Sequence, residues 1–310
     1  MTGAPFDIGL AEGPEPVEAH WVTTSDNIRL RVAIWRAAEA IGTILIFPGR
    51  TEYVEKYGRV AAELVAAGYS VTAIDWRGQG HADRLMDDPR LGHVDHFDDY
   101  QKDVAAYVAL VDEMGLPSPR FLIAHSMGGA IGLRALINGL RVKRAVFSAP
   151  MWGIYAPRHI KSFALTLLFL ATQLKLAHMI VPGTQVEGHV TGTSFEENKL
   201  TSDREQYAYI LRQSRSDPAL SLGGPTFHWL REARTEITRL QAERRPILPT
   251  KVFLGTRDPI VDRKTVRSLV ESWPTADLVT FDGGKHELMI EVPEIRDAFM
   301  EQTLAFLAEA

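Results

Sequence analysis

Between Ile28 and Ile34 the chain alternates, with Ile28, Leu30, Val32 and Ile34 on one side and Arg29, Arg31 and Ala33 on the other, after the turn-prone Ser25-Asp26-Asn27. This period of two predicts the second arm of a half-buried antiparallel hairpin. The alternation then gives way to short, nearly continuous apolar runs at residues 43–47, 71–74, 121–124 and 145–147. Each is too short for a helix and suits a strand covered on both faces. Between them, Tyr57, Val60, Ala61, Leu64 and Val65 recur at helical spacing ahead of Gly68, and Tyr100, Val104, Tyr107, Val108 and Val111 do so ahead of Gly115. Strands alternating with helices predict a doubly wound, mostly parallel sheet.

The alternation stops at Pro150 and resumes near Pro249 with a strand at 252–254, a helix around 265–271, a strand at 278–281 and a C-terminal helix from about Glu294. Three segments follow: a core at 1–150, a helical cap inserted at 151–245, and the rest of the core at 246–310. Open α/β sheets bind ligands beyond the carboxyl ends of their strands, which is where the cap is expected to sit. Within it, Phe163, Leu165, Leu167, Leu168, Phe169, Leu170, Leu174 and Leu176 make a helix apolar around most of its surface, more than one core-facing stripe requires. Such a helix suits the wall of an apolar pocket or transient contact with a bilayer or micelle, and equally packing on its own core or on a second subunit. Trp152, Tyr155, Phe227 and Trp229 are candidates to line the same pocket or to pack.

Composition narrows the chemistry. With 45% hydrophobic and 24% charged residues, the 310-residue chain has ordinary globular composition. A net charge of -5 without a long basic run argues against nucleic acid. The absence of cysteine excludes disulfides, thiolate zinc sites and a Cys nucleophile. Residues 1–16 combine Asp7, Glu12 and Glu15 with neither a basic start nor a long apolar stretch, so a cytoplasmic location is expected, and the apolar run at 163–171 is too short to span a bilayer.

His125-Ser126-Met127-Gly128-Gly129 directly follows one predicted strand and directly precedes a helix-compatible run. A serine on so sharp a turn needs small neighbours, and its hydroxyl projects near the positive end of the helix. Gly128 meets that need, while Ala124 replaces the first glycine of the GxSxG pattern. A serine hydroxyl needs a base, and the base needs a carboxylate. Of ten histidines, His286 lies just after the last predicted strand; His20 precedes a strand, His125 adjoins Ser126, and His159, His178, His189 and His228 fall in the insertion. Asp258 follows the penultimate strand, and its competitor Asp262 better suits a helix cap ahead of Thr265. For a developing oxyanion the expected donors are the backbone N–H groups of Met127 and Arg50, the Arg50 side chain facing solvent or pairing with Glu52.

Pro48-Gly49-Arg50-Thr51-Glu52, Asp75-Trp76-Arg77-Gly78-Gln79-Gly80, His125 to Gly129, Gly255-Thr256-Arg257-Asp258 and Lys285-His286-Glu287 together resemble the monoacylglycerol lipase and bacterial lysophospholipase group of α/β-hydrolases over roughly residues 20 to 308. Asn198 to Arg204 and Gly224 to Trp229 are similar to the bacterial lysophospholipase branch. Pro48 and Ala124 depart from the group's usual His and Gly. The resemblance implies an α/β-hydrolase fold with Ser126 as nucleophile, Asp258 and His286 as its partners, and Arg50 with Met127 as oxyanion donors. It also implies hydrolysis of a mono-acylated lipid ester through an acyl-enzyme, with no cofactor and no metal. Short-chain esters, amide cleavage and a noncatalytic receptor on the same fold are the competing readings. His81, His93 and His96 among Asp83, Asp87, Asp88, Asp95, Asp98 and Asp99 read better as a polar connection than as a metal site, and Asp75 to Gly80 as a structural turn.

Overall fold

The structure is a computed structural model and describes residues 3–156, 171, 176–182, 184 and 190–309. Eight strands form one sheet: β1 Val17–Thr23, β2 Arg29–Trp35, β3 Thr43–Phe47, β4 Ser70–Asp75, β5 Arg120–His125, β6 Arg144–Ser148, β7 Thr250–Gly255 and β8 Ala276–Phe281. Their order is β1-β2-β4-β3-β5-β6-β7-β8. The hairpin pairs antiparallel, β2 joins β4 antiparallel, and every later pair is parallel. β1 already begins at Val17, so His20 lies inside a strand and not ahead of one.

Side chains of each central strand divide between two faces, as the pleat requires. Leu45, Phe47, Leu122, Ala124, Ala145 and Phe147 pack on one face, beside the helices Tyr100–Glu113 and Met127–Ile137. Ile44, Ile46, Phe121, Ile123 and Val146 face the other, against Gly58–Ala66 and Pro293–Ala308. Burial on both faces explains why these strands read as unbroken apolar runs.

The insertion begins where β6 ends. Its last helix, Phe227–Ala242, packs Trp229, Ala233, Ile237 and Leu240 into the same cluster as β5 and the helix Met127–Ile137. This part of the insertion therefore shares the sheet's core. Arg134 on the core helix also bonds Glu236 on the insertion helix at 2.7 Å. Of the span of the expected apolar cap helix, the described residues are Ala171, which is buried against Phe227, and Leu176, which is exposed; the other leucines and phenylalanines named for it lie outside the described residues. Among the described residues no helix is long and apolar enough to cross a membrane.

Candidate active site

At the carboxyl end of β5 the backbone turns into the helix Met127–Ile137 through Ser126, whose φ of 48° and ψ of -115° lie in a region that L residues rarely occupy. Three surrounding features hold it there. The Ser126 N–H donates to the Ser148 carbonyl, while the Ser126 carbonyl accepts from Gly129 and Met151. Gly128 packs so closely under the β3 exit that a methyl group on it would overlap the Phe47 carbonyl and come within 2.5 Å of the Pro48 oxygen. Ala124 is accommodated because Gly132 faces it; a Cβ on that glycine would already stand 3.3 Å from the Ala124 methyl.

The loops after β7 and β8 converge on this serine. Gly255 ends β7 against the carbonyls of Gly284 and Lys285, an approach that leaves no room for a side chain. The Arg257 N–H to Gly284 carbonyl bond and the Thr256 hydroxyl, which accepts from Gly283, tie the two loops together. His286 Nε2 stands 2.9 Å from Ser126 Oγ, and His286 Nδ1 stands 2.7 Å from Asp258 Oδ2. A carboxylate can only accept, so Nδ1–H donates to Asp258 and Nε2 is left free to accept from the serine hydroxyl. The other oxygen of Asp258 accepts from the N–H groups of Ile260 and Val261. Burial by itself would raise the Asp258 carboxyl, but His286 and these two N–H groups outweigh it and hold the carboxyl below its ordinary value. Asp262, the competing carboxylate, instead accepts from Lys264 and Thr265 at the start of the helix Arg263–Glu271. It is a helix cap.

The loop after β3 lies on the opposite side of Ser126. Gly49 donates to Glu52 Oε2 and Thr51 donates to Gln79 Oε1, whereas Arg50 and Met127 donate their backbone N–H groups to no described acceptor. Both N–H groups are therefore without an acceptor among the described residues. Gln79 also donates to the carbonyls of Gly49 and Glu52, and Trp76 donates to that of Pro48. The Asp75-to-Gly80 turn thus shapes the loop after β3. Arg50 turns its side chain neither to solvent nor to Glu52; its Nη2 donates to the Gly223 carbonyl at 2.8 Å and its guanidinium lies over the Trp229 ring at 5.0 Å.

Beneath these groups lies a charged cluster that sequence reasoning missed. Lys56 Nζ sits 2.6 Å from Glu52 Oε1 and 2.6 Å from Glu287 Oε1, and the Tyr57 hydroxyl donates to Glu52 at 2.6 Å. His125 Nε2 lies 3.3 Å from Glu287 and 3.5 Å from Glu52. Since His125 Nδ1 faces the Ser148 carbonyl at 3.0 Å and must donate to it, Nε2 can meet two carboxylates favourably only as a second N–H. Burial disfavours the imidazolium, but Glu287 and Glu52 outweigh burial and raise the His125 pKa. Two carboxylates, an ammonium and an imidazolium thus neutralise one another. Glu52, His125 and Glu287 could supply metal ligands, their atoms lying within 4.8 Å of one another, but the Lys56 ammonium already fills the cationic place. The detectable signal was the charged neighbour of each nominated residue: His125 beside Ser126, Glu287 beside His286, and Glu52 two residues from Arg50.

A cavity of about 360 Å³ opens over Ser126 and His286, with Ile154, Tyr155, Val190, Leu200, Ile210 and Ile260 among its apolar lining. Of the four aromatics expected there, only Tyr155 lines it; Trp152, Phe227 and Trp229 are buried in packing. The His/Asp-rich connection is dispersed: His81 pairs with Asp217 at 2.7 Å, His93 lies against Asp95, and His96 is exposed.

Residues 38–293 match the model of the Hydrolase_4 family, described as serine aminopeptidase, S33. The chain is 31% identical over 299 residues to lysophospholipase L2 of Escherichia coli, covering 92% of this chain and 85% of that one. It is 26% identical to the monoglyceride lipase of Rattus norvegicus, covering 84% of this chain and 80% of the relative. A solved monoglyceride lipase variant from Saccharomyces cerevisiae, bound to a substrate analogue, superposes with a TM-score of 0.71 at 20% identity, over 93% of this chain and 94% of that one.

Proposed function

The chain belongs to the Hydrolase_4 family of α/β-hydrolases, and on that premise we propose that it cleaves the carboxylic ester of a mono-acylated lipid, a lysophospholipid or a monoacylglycerol, with Ser126, His286 and Asp258 as its catalytic residues. The observation that carries the assignment of roles is the unbroken chain from Ser126 Oγ through His286 to Asp258 Oδ2.

In this reading Ser126 Oγ attacks the ester carbonyl carbon while its proton passes to His286 Nε2. The N–H groups of Arg50 and Met127 stabilise the resulting oxyanion, and Met127 adds the positive end of its helix. Collapse breaks the bond to the alcohol, which leaves with the proton from His286, and the acyl group stays on Ser126. Water, deprotonated by His286, then releases the fatty acid and restores the serine. Asp258 keeps the imidazole in the tautomer that both half-reactions need.

Lipid ester over peptide is supported by the pocket itself. Its apolar lining suits an acyl chain, and the two carboxylates among its described lining residues, Glu52 and Glu287, are already paired with Lys56 and His125, leaving neither free for a peptide's ammonium terminus. The insertion, 151–245 in this reading, serves as the lid. Tyr155 at the pocket and Met179 elsewhere in the insertion are 54% and 55% exposed, which supports transient contact with a lipid surface by an otherwise cytoplasmic protein.

The test compares wild type with Ser126→Ala on a panel of lysophospholipids, monoacylglycerols and short esters, reading released fatty acid by mass spectrometry. Turnover is expected to fall on the order of a millionfold, with the fold intact. Labelling by a fluorophosphonate should occur on Ser126 and vanish in His286→Ala. An undiminished rate in Ser126→Ala would defeat the assignment.

A further inference from the structure

Arg50 lends its backbone to the expected oxyanion site, yet its side chain leaves for the insertion. Most of the guanidinium is withdrawn from water although the residue as a whole stays partly exposed, and this burial lowers its pKa to about 10. Among the described residues it has no carboxylate partner: it donates to the Gly223 carbonyl and lies over the Trp229 ring, and its Nε is buried with no acceptor among them. A charge buried on those terms costs stability and does not add to it. A methionine or leucine would fill the same volume more cheaply, so the arrangement calls for a role other than cohesion.

The surroundings are shaped for this guanidinium. Gly92 has an ordinary negative φ and does not need to be glycine for its backbone. A methyl group on Gly92 would, however, overlap Arg50 Nη2 and stand 2.8 Å from Leu222 Cδ2. Gly92 also pairs with Pro225, and the Gly223 N–H donates to the Arg90 carbonyl, so the core connection and the insertion clasp the guanidinium between them. At the other end of the side chain, Gly49 is held by Glu52 and Thr51 by Gln79, Thr51 with a φ of 67°. Arg50 lies between two fixed residues, and its side chain is its remaining anchor.

We infer that Arg50 is a positioning residue whose guanidinium, clasped by Gly223 and Trp229 of the insertion, sets the direction of its own N–H toward the oxyanion. The inference rests on the hydrolase reading above. It follows that the oxyanion donor is correctly aimed only while residues 223–229 are seated on the core. Movement of the insertion and transition-state stabilisation are thereby linked through one side chain.

The test is a double-mutant cycle on hydrolysis of p-nitrophenyl butyrate, a small ester that does not depend on the lid for binding. Arg50→Met is expected to lower kcat at least tenfold with KM changed less than threefold, and Arg50→Lys to recover part of the loss. Gly92→Ala, at a residue outside the pocket lining, is expected to lower kcat in the same way. Combined with Arg50→Met it should add less than about twofold, because the guanidinium it displaces is gone and only the flexible end of Leu222 is left to shift. The inhibition constant of butylboronic acid, which binds as a tetrahedral adduct, should weaken in step with kcat, a correlation that loss of packing alone does not produce. Where Arg50→Met does not fold, Arg50→Gln takes its place in the cycle. Multiplicative losses in the double variant, or an unchanged kcat in Gly92→Ala, would overturn the inference. Continued fluorophosphonate labelling of the wild type would leave the hydrolase reading standing in that event.

Discussion

Lys56→Met removes the ammonium from between two buried carboxylates while keeping the length of the side chain. Glu52, Lys56, His125 and Glu287 are all buried, with Lys56 Nζ at 2.6 Å from each acid. Burial by itself pushes the Glu287 carboxyl up, but His125 and Lys56 outweigh it and hold the group well below the usual carboxylate range. Without Lys56, a single imidazolium faces both acids. Deleting one partner of a buried ion pair costs about 3–5 kcal/mol, because the remaining charge is left uncompensated. At roughly 2.1 cal/mol/K per residue, 310 residues unfold with about 650 cal/mol/K, so Tm should fall by about 5–8 °C at pH 7. The sign of the pH dependence follows from the depressed Glu287 value. Its contribution is present above the unfolded value of 4.5 and is lost as pH falls through the lower folded one, so the gap between wild type and variant should narrow below pH 4.5. Thermal unfolding followed by circular dichroism measures both effects. Glu287→Gln in the same background removes the excess negative charge and should recover more than half of the loss. A Tm change under about 1 °C, or a double variant no better than Lys56→Met, would refute the account of the cluster as a mutually neutralising set.

Three further outcomes are expected. Gly128→Ala places a methyl group against the Phe47 and Pro48 carbonyls, so kcat should fall about 100-fold or more as the oxyanion loop is pushed away, measurable with any active ester. Asp258→Asn should lower kcat by about 10⁴ with little effect on Tm, whereas Asp262→Ala should cost about 1 kcal/mol of stability and leave kcat within about twofold; the reverse pattern would move the carboxylate role to Asp262. Where core meets insertion, the His93 ring lies 4.9 Å from that of His228 and 5.2 Å from that of His178, with Asp95 and Thr226 also facing it. Burial, with a smaller push from these two histidines, outweighs the raising effect of Asp95 and holds the His93 pKa below 6.5, so its contribution is full above pH 6.5 and is lost as pH falls toward the depressed value. Limited proteolysis of the insertion should therefore accelerate between pH 7 and 5 in wild type and not in His93→Phe.

Sequence by itself settled what local sterics and short periods encode. A period of two marked the hairpin arm and unbroken apolar runs marked the strands buried on both faces, each within one or two residues of its ends, because a strand's environment is written into its own side chains. The sharp turn at Ser126 was legible for the same reason: a serine at positive φ demands small neighbours next to it in the chain. That Asp262 would cap a helix was legible too, since a cap is a local feature. What only the tertiary structure decided involves partners far apart in the chain. Lys56 meets Glu287 across 231 positions, and Arg50 meets Gly223 across 173. A lysine or arginine carries no mark of whether it faces water or a buried acid, so neither pairing could be read from composition or spacing. Trp152 and Trp229 likewise look the same in sequence whether they line a pocket or fill a core; Trp229 was decided by which face of its helix met the core, and Trp152 by the turn after β6 that lays it on Phe147 and Trp273. The fold is written in the short range, where each residue constrains its neighbours, whereas the charge balance around Ser126 exists only once the loops have met.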